Sequence, residues 1–526
     1  MNQTKLNKNN FLQQVTKFGF FAEQFPHCFT SEALSDHLSE LVPTVKTKKN
    51  ITAPSTLSTY KNDISRRIIS VPNPEAFLRL AIHMKNNWSK VMDAATSKNS
   101  LSPIFCMNPY YAGRQLINCE SLREAFRLRS DFLWGIKQSI RISLGYKYRL
   151  KVDIANCYNS MYTHSITWAV CGKALAKTYY LKKEPPVLKP LYDFADNLDI
   201  FTRYEKNNET NGIIVGPYTS RIVSEIILAR IDKMLAEKGY KFKRYVDDYK
   251  FYFRTEFQAQ ESLHIIEKVF NEYNLALNVA KTEIQRFPYE VITDMKERYA
   301  NAFFKAGVLG ILNEASLLHL AGQKGAYKYA LKYLRGKPFP NKEDLQVVIP
   351  TLFNIMLLDP RHGKYITDYL ISNRDRISLS TLQTIINEEL QKSLESELQQ
   401  ESLLFIQLLR DLDLIVTGKN VLKILQSDND FAIIIALDIW KNRKSKVQRN
   451  SYEAYLINQA ITNLIDSLKG EKLTGSRWLL LYEIDINSLV DKSMLPIIEE
   501  KDKDNFFKKM YALKISFYKS VKHSTP

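Results

Sequence analysis

The sequence predicts an α+β protein in which a mixed module of strands and helices is followed by an all-α array of stacked helical hairpins. Three observations carry this. The stretch Arg244-Tyr-Val-Asp-Asp-Tyr-Lys-Phe-Tyr-Phe-Arg254 alternates through Tyr249, Phe251 and Phe253 as a half-buried strand does. It sets Asp247 and Asp248 where the chain should reverse, so it reads as a β-hairpin with acid at its tip. Tyr148-Arg-Leu-Lys-Val-Asp153 alternates Leu150 and Val152 with Arg149 and Lys151, a second strand with an aspartate at its end. After about Arg298 apolar residues come instead at helical spacing, in blocks such as 345–358, 403–414, 421–437 and 455–468. Turns at Asp359-Pro360, Gly418-Lys419 and Gly470-Glu471 separate them, in the manner of HEAT-like repeats, although no repeat consensus is legible. The expected divisions are residues 1–145, 146–300 and 301–526.

Length and charge set outer limits. A chain of 526 residues exceeds what one hydrophobic core usually supports, so two or three domains are expected. Lys and Arg outnumber Asp and Glu by 74 to 56, a formal charge of +18 that suits a polyanionic partner such as nucleic acid as well as a basic protein with none. The 29 tyrosines add rings able to stack on unpaired bases. Five scattered cysteines (Cys28, Cys106, Cys119, Cys157, Cys171) show neither zinc spacing nor pairing, which fits a reducing cytoplasm. No signal peptide or membrane span is expected; Phe431 to Leu437 is the nearest approach to an apolar span.

In chain order, residues up to about Asn50 read as a polar arm with short helical pieces, and Ile51 to Ser58 as a loop of small polar residues. A basic strand, Ser65 to Pro74, leads into a helix whose first turn suits Pro74 and Glu75 and whose apolar face is Phe77, Leu78, Ala81, Met84 and Trp88. Basic residues recur from Arg123 to Lys151, including Arg127, Arg129, Lys137, Arg141 and Lys147, as a solvated face or a phosphate-holding one. A helix is expected from Ser160 to Trp168 with Thr163 or Ser165 as its cap. Then Asn211-Gly-Ile-Ile-Val-Gly-Pro-Tyr-Thr-Ser-Arg221 runs into a helix with Val223, Ile227, Ile231 and Met234 inward, ending at Lys238-Gly239. Gly212 and Gly216 would let a base or sugar approach the backbone.

A lone strand-end Asp is commonly a cap, and Val-Asp-Asp alone commonly a solvated turn. In the order found here, strand-end Asp, glycine loop and helix, then acidic hairpin, they have the layout of a polymerase palm. Nucleotidyl transfer needs carboxylates from different strands to hold two divalent cations, one at the attacking hydroxyl and one at the triphosphate. Asp153 and Asp247 suit that geometry, Asp248 completes or flanks it, and Lys281 in Leu275 to Thr282 is placed to reach phosphates.

On these residues the sequence resembles reverse transcriptases. Tyr245-Val-Asp-Asp248 looks like their YxDD box, Asp153 to Tyr158 like the strand bearing the first metal aspartate, and Leu275 to Thr282 like their lysine-bearing motif. The resemblance implies reverse-transcriptase-like fingers (1–145) and palm (146–300), and two Mg²⁺, or Mn²⁺, on Asp153, Asp247, Asp248 and the Ile154 backbone carbonyl. It also implies that Tyr158 is a gate against ribose 2′-hydroxyls, with Gly216 and Pro217 shaping the nucleotide pocket. Tyr162-Thr-His-Ser-Ile166, Trp168, Gly212-Ile-Ile-Val-Gly-Pro217 and Ser220-Arg-Ile-Val-Ser-Glu225 further resemble the bacterial abortive-infection reverse transcriptases of the AbiK type and their prophage-borne relatives, over about residues 60–290. That family implies phage defence by template-independent, protein-primed DNA synthesis from dNTPs, a single-stranded DNA product, a homo-oligomer (trimer or hexamer) in the bacterial cytoplasm, no membrane, and a helical carboxy-terminal domain. Val215 stands where ordinary reverse transcriptases carry Gln, which also bears against faithful templated copying.

Other residues are read more plainly. His164 is packed or capping, Arg221 and Glu225 pair one turn apart, and Arg66 and Arg67 are triphosphate contacts or surface charge. Tyr60, the first tyrosine and in the expected polar loop, is the candidate primer hydroxyl, and the lysine-rich end from Lys508 and Lys509 through Lys519 and Lys522 is a solvated tail. The rival readings are a templated RNA-directed DNA polymerase of the retron kind and a non-enzymatic scaffold; the second has no use for clustered carboxylates that repel phosphate.

Overall fold

The computed structural model describes residues 6–46, 50–101, 135–181, 188–289, 295–323, 325–335, 337, 342–495 and 498–520. Cys106, Cys119, Arg123, Arg127, Arg129 and Lys522 lie outside them. The strands are β1 (Ser55–Asn62), β2 (Ser65–Val71), β3 (Tyr148–Asp153), β4 (Phe242–Tyr245), β5 (Asp248–Phe253), β6 (Glu283–Arg286) and the two-residue β7 (Val416–Thr417) and β8 (Val447–Gln448).

β3 to β6 form one antiparallel sheet in the order β4-β5-β3-β6. Its inward face is aromatic: Phe242, Tyr249 and Phe251 are fully buried, and Phe270 of the Glu256–Asn271 helix meets Tyr249 edge-on at 5.0 Å. Each such side chain contributes about 2–3 kcal/mol on burial, so the hairpin's alternation fixes both its register and its distance from that helix. The Tyr218–Glu237 helix is buried along Ile222, Val223, Ile226, Ile227, Ile231 and Leu235, and Gly239 follows its end at a φ of 85°.

β1 and β2 pair antiparallel as a separate hairpin, with Ser55, Leu57 and Thr59 inward. This corrects the loop expected over 51–58. Serine and threonine tolerate a strand as readily as a turn, and Leu57 at the middle decides it by burial. The Pro74–Asn86 helix follows, with Asn73 as its cap, accepting from Glu75 N and Ala76 N.

The amino-terminal arm is not polar in place. Phe20 stacks on Phe517 at 5.3 Å, Phe25 lies 4.7 Å from Phe431, and Phe29 lies 5.4 Å from Tyr518, all six rings buried. Thr30 N donates to Phe517 O at 2.7 Å, and Lys519 N to Cys28 O at 2.7 Å. The lysine-rich stretch up to Lys519 is therefore docked, with Lys519 on Glu32 at 2.9 Å and Lys509 on Glu40 at 3.4 Å, rather than a solvated tail.

Beyond Met295 the described elements are helices apart from β7 and β8. Residues 421–437, expected as one block, fall in two helices, Gly418–Leu425 and Asp430–Asn442, because Asn429 accepts from Ala432 N and starts the second. Gly418, expected in a turn, opens the first of them behind Thr417. The helix expected from Ser160 begins at Ser165, and neither Thr163 nor Ser165 caps it: Ser165 Oγ donates back to Tyr162 O at 2.5 Å. Among the described residues no helix is long and apolar enough to cross a membrane.

Candidate active site: three carboxylates at the sheet edge

β3 carries Asp153 at its last position, directly opposite Asp248, the first residue of β5. Leu150 and Val152 are fully buried, so the strand cannot slip without exposing them. Beyond β3 the chain bridges Ile154 to Leu277. Asn278 N donates to Asp153 O at 2.8 Å and Ala155 N to Ala276 O at 2.9 Å. That pairing uses the neighbours of Ile154, so its own carbonyl points to the other edge, on the β5 side.

The β4–β5 turn needs support, since Val246 has a φ of 56°, a left-handed conformation that a β-branched residue adopts only under constraint. Arg244 supplies it. Its guanidinium is fully buried, forks onto Glu225 at 2.9 and 2.7 Å, reaches Asp232 at 2.7 Å, and donates to Val246 O at 2.9 Å. Glu225, expected to pair with Arg221, is held inside the core by Arg244, a buried charge that offsets its own; Arg221 lies over the Tyr218 ring at 5.7 Å.

The result is a cluster in which one carboxylate oxygen each from Asp153, Asp247 and Asp248 lie within 4.8 Å of one another. Burial, and then the neighbouring Asp153, push the Asp247 carboxyl above the ordinary range, with Lys281 and Arg67 pulling it down. Asp248 is raised by burial, then by Asp247 and Asp153. Negative charge is thus concentrated beyond what the protein itself neutralises. Three hard anionic oxygens, with no His or Cys in the group, fit a hard divalent cation such as Mg²⁺ or Mn²⁺. Asp153 Oδ2 is already engaged, by Asn278 Nδ2 and by Lys281 Nζ, each at 3.0 Å.

Tyr158 follows on the short Cys157–Ser160 helix, half-buried, its hydroxyl accepting from Ser224 Oγ at 3.3 Å and its ionisation pushed by burial up to about 12. The glycine loop is stitched beside it: Gly212 N donates to Met161 O at 2.8 Å, Ile213 N to Tyr158 O at 2.9 Å, and Ser70 N to Val215 O at 2.7 Å. The two glycines serve approach of backbone to backbone. A Cβ on Gly212 would lie 2.8 Å from Asn159 O, and one on Gly216, whose φ is 141°, 2.7 Å from Ser70 O. Pro217 immediately precedes the Tyr218–Glu237 helix.

Arg67 is exposed on β2, and its charge acts on Asp247, whereas Arg66 turns away to Glu401. Tyr60 is not in a loop. It lies within β1, its hydroxyl donates to Asp63 at 2.7 Å, and that bond and burial raise its ionisation to about 12. His164 Nδ1 meets the buried Asp199 Oδ2 at 2.6 Å, tying two helices together. Sequence reasoning missed Arg244, Asp232, Asn278, Ser224 and Lys61, whose Nζ lies 3.2 Å from Asn156 Oδ1. For Arg244 a signal existed, since it shares the inward side of β4 with Phe242.

The antiparallel sheet, the glycine loop and helix, and the acidic hairpin have the layout expected of a polymerase palm. Residues 71–329 match the family described as reverse transcriptase (RNA-dependent DNA polymerase), and a reverse-transcriptase domain is present there. Telomerases are found among solved structures. One is telomerase from Candida albicans with a fragment of telomeric RNA, at 11% identity and TM-score 0.27, covering 65% of this chain and 66% of that one. Another is apo telomerase from Candida tropicalis, at 12% identity and TM-score 0.30, covering 68% and 70%. Its form truncated from the C-terminal domain gives 13%, 0.27, 50% and 56%. This chain thus spans just under two thirds of the first of these, and at such scores the likeness supports no argument about function. No curated protein matches the chain.

Proposed function

We propose that the chain is a phage-defence DNA polymerase of the reverse-transcriptase family, acting by abortive infection, that joins dNTPs without a template onto a hydroxyl of the protein itself. The observation that carries the polymerase reading is the convergence of Asp153, at the end of β3, with Asp247 and Asp248 of the adjacent β4–β5 hairpin. The defence role, self-priming, single-stranded DNA product, trimeric or hexameric assembly and bacterial cytoplasmic setting rest on the resemblance of the 162–168 and 212–225 motifs to the AbiK type.

Asp153, Asp247 and the Ile154 carbonyl would hold two Mg²⁺, or Mn²⁺, with Asp248 assisting. When bound, these ions lower the pKa of the attacking hydroxyl and neutralise the triphosphate. The chain's own residues do the rest. Arg67 and Lys281 bring positive charge to the carboxylate edge where phosphates would lie. Tyr158, steadied by Ser224, stands as the barrier to a 2′-hydroxyl, and the Gly216-Pro217 turn, held against Ser70, forms the wall of the nucleotide pocket. Lys281, whose ammonium rests on Asp153 at 3.0 Å, would supply positive charge to a phosphate at the same edge.

The test is incubation of purified protein with Mg²⁺ and labelled dNTPs, no template added, followed by denaturing electrophoresis before and after nuclease and protease. Label that migrates with the protein and is removed by nuclease supports self-primed synthesis. Label appearing only with added primer and RNA template moves the reading to the retron kind. In the same assay Tyr60→Phe tests the primer: loss of label supports Tyr60, and full label assigns the priming to another hydroxyl.

A further inference from the structure

The edge of β1 that β2 leaves free is covered by one helix of the carboxy-terminal region, Gln399–Asp411. Ser58 N donates to Gln399 Oε1 and Tyr60 N to Gln400 Oε1, each at 2.8 Å. Beside them Arg66 of β2 forks Nη1 and Nη2 onto the two oxygens of Glu401, both at 2.6 Å. Three successive residues at the start of one helix therefore hold three positions of the hairpin. They are themselves fixed: Gln400 Nε2 donates to Pro360 O at 3.3 Å, and Gln399 O accepts from Asn429 Nδ2 at 2.9 Å. The Arg361 guanidinium adds a contact over the Tyr60 ring at 5.5 Å.

Strand alternation gives this its consequence. With Arg66 turned to Glu401, Arg67 faces the opposite side of the hairpin, where its charge acts on Asp247. The same hairpin reaches the palm through Lys61 on Asn156 and Ser70 on Val215. The Arg66 and Glu401 side chains are 27% and 8% exposed, so the pair is largely out of water, and removal of either partner leaves the other charge uncompensated. The two-pronged geometry is one that only arginine offers.

We infer that Gln399, Gln400 and Glu401 are positioning residues for the nucleotide site: they hold the β1–β2 hairpin at the register that keeps Arg67 directed at the triphosphate position beside Asp247. The carboxy-terminal helices are then part of the polymerase. This deepens the proposed function and rests on it.

The test uses the full chain in the dNTP incorporation assay, with kcat and KM for dNTP measured for the parent, Glu401→Arg, Arg66→Glu and the charge-swapped double variant, and melting temperature read in parallel. Each single variant is expected to raise the dNTP KM by about tenfold, with a smaller change in kcat, since loss of alignment at a reacting group is costly in rate and affinity. The double variant is expected to recover most of the loss. Single variants that melt earlier with KM unchanged overturn the inference, as does a folded double variant no better than the singles. Should the charge variants fail to fold, Gln400→Ala, which removes the uncharged acceptor of Tyr60 N and the donor to Pro360 O, is expected to raise KM about twofold to threefold, and an unchanged KM overturns the inference. A parent that incorporates nothing overturns the polymerase reading itself, and this inference with it.

Discussion

Replacing Asp247 by Asn should separate stability from activity in opposite directions. Oxygens of Asp153, Asp247 and Asp248 lie within 4.8 Å of one another. At an effective dielectric of about 20, two unit charges at that separation repel by about 3 kcal/mol. Asp247 is only half-buried, and Lys281 and Arg67 already act on it, so screening leaves about 1–2 kcal/mol to be recovered by a neutral side chain of the same shape. In EDTA the variant should therefore melt about 1–3 °C above the parent. Adding Mg²⁺ should raise the parent's melting temperature and leave the variant nearly unmoved, because the variant has lost an anionic ligand. Incorporation of dNTPs should fall by about 10³-fold. Differential scanning fluorimetry with and without Mg²⁺, beside the labelling assay, reads all three. A variant that melts no higher in EDTA, gains as much from Mg²⁺ and labels like the parent refutes the argument at every step.

Other outcomes follow from particular contacts. Arg244→Met should destabilise by about 3–5 kcal/mol in chemical denaturation, because it strands Glu225 and Asp232 in the core and releases the left-handed Val246. Gly216→Ala should reduce both stability and incorporation, since its Cβ would stand 2.7 Å from Ser70 O at a φ of 141°, and the glycine loop cannot give way without moving β2; a wild-type melting curve would contradict that rigidity. Tyr158→Ala should admit ribonucleotides, read as a rise in ATP over dATP incorporation, and an unchanged ratio would remove Tyr158 as the gate. Glu205 is fully buried with both oxygens lacking hydrogen-bond partners, and burial raises it from 4.5 to about 8, with Arg79 pulling the other way. A raised folded value means that its share of stability is complete below about 4.5 and is lost as pH climbs through about 8. Glu205→Gln should flatten the melting temperature across that window, and a profile parallel to the parent's would contradict the assignment.

Much of the palm was legible because the apolar residues of its strands recur at every second position. Leu150 and Val152 on β3, and Tyr249, Phe251 and Phe253 on β5, can face only one way, and that places Asp153 and the acidic turn at the same end of the sheet. Gly212 and Gly216 marked the loop, and each also allows a close backbone approach within the protein, to Asn159 and to Ser70. What stayed hidden depends on partners distant in the chain. Phe20, Phe25 and Phe29 follow no single period, and they are core residues because Phe431, Phe517 and Tyr518 come to meet them. Alternation separates Arg66 from Arg67 but does not say which side meets the palm, and that waits on Glu401. Tyr60 was drawn to a loop by its serine and threonine neighbours, whose hydroxyls suit a turn and a strand equally. Lys281 was singled out for phosphate, yet its ammonium rests on Asp153, a contact that follows from the bridge of Ile154 to Leu277.

The most direct measurement of the central claim is a Mn²⁺ titration followed by electron paramagnetic resonance, on the parent and on Asp153→Asn and Asp247→Asn. Saturable binding of two ions per chain in the parent, weakened in both variants and competed by Mg²⁺, is the result expected if these carboxylates share their cations. Binding that is unsaturable in the parent, or identical in all three proteins, would contradict it.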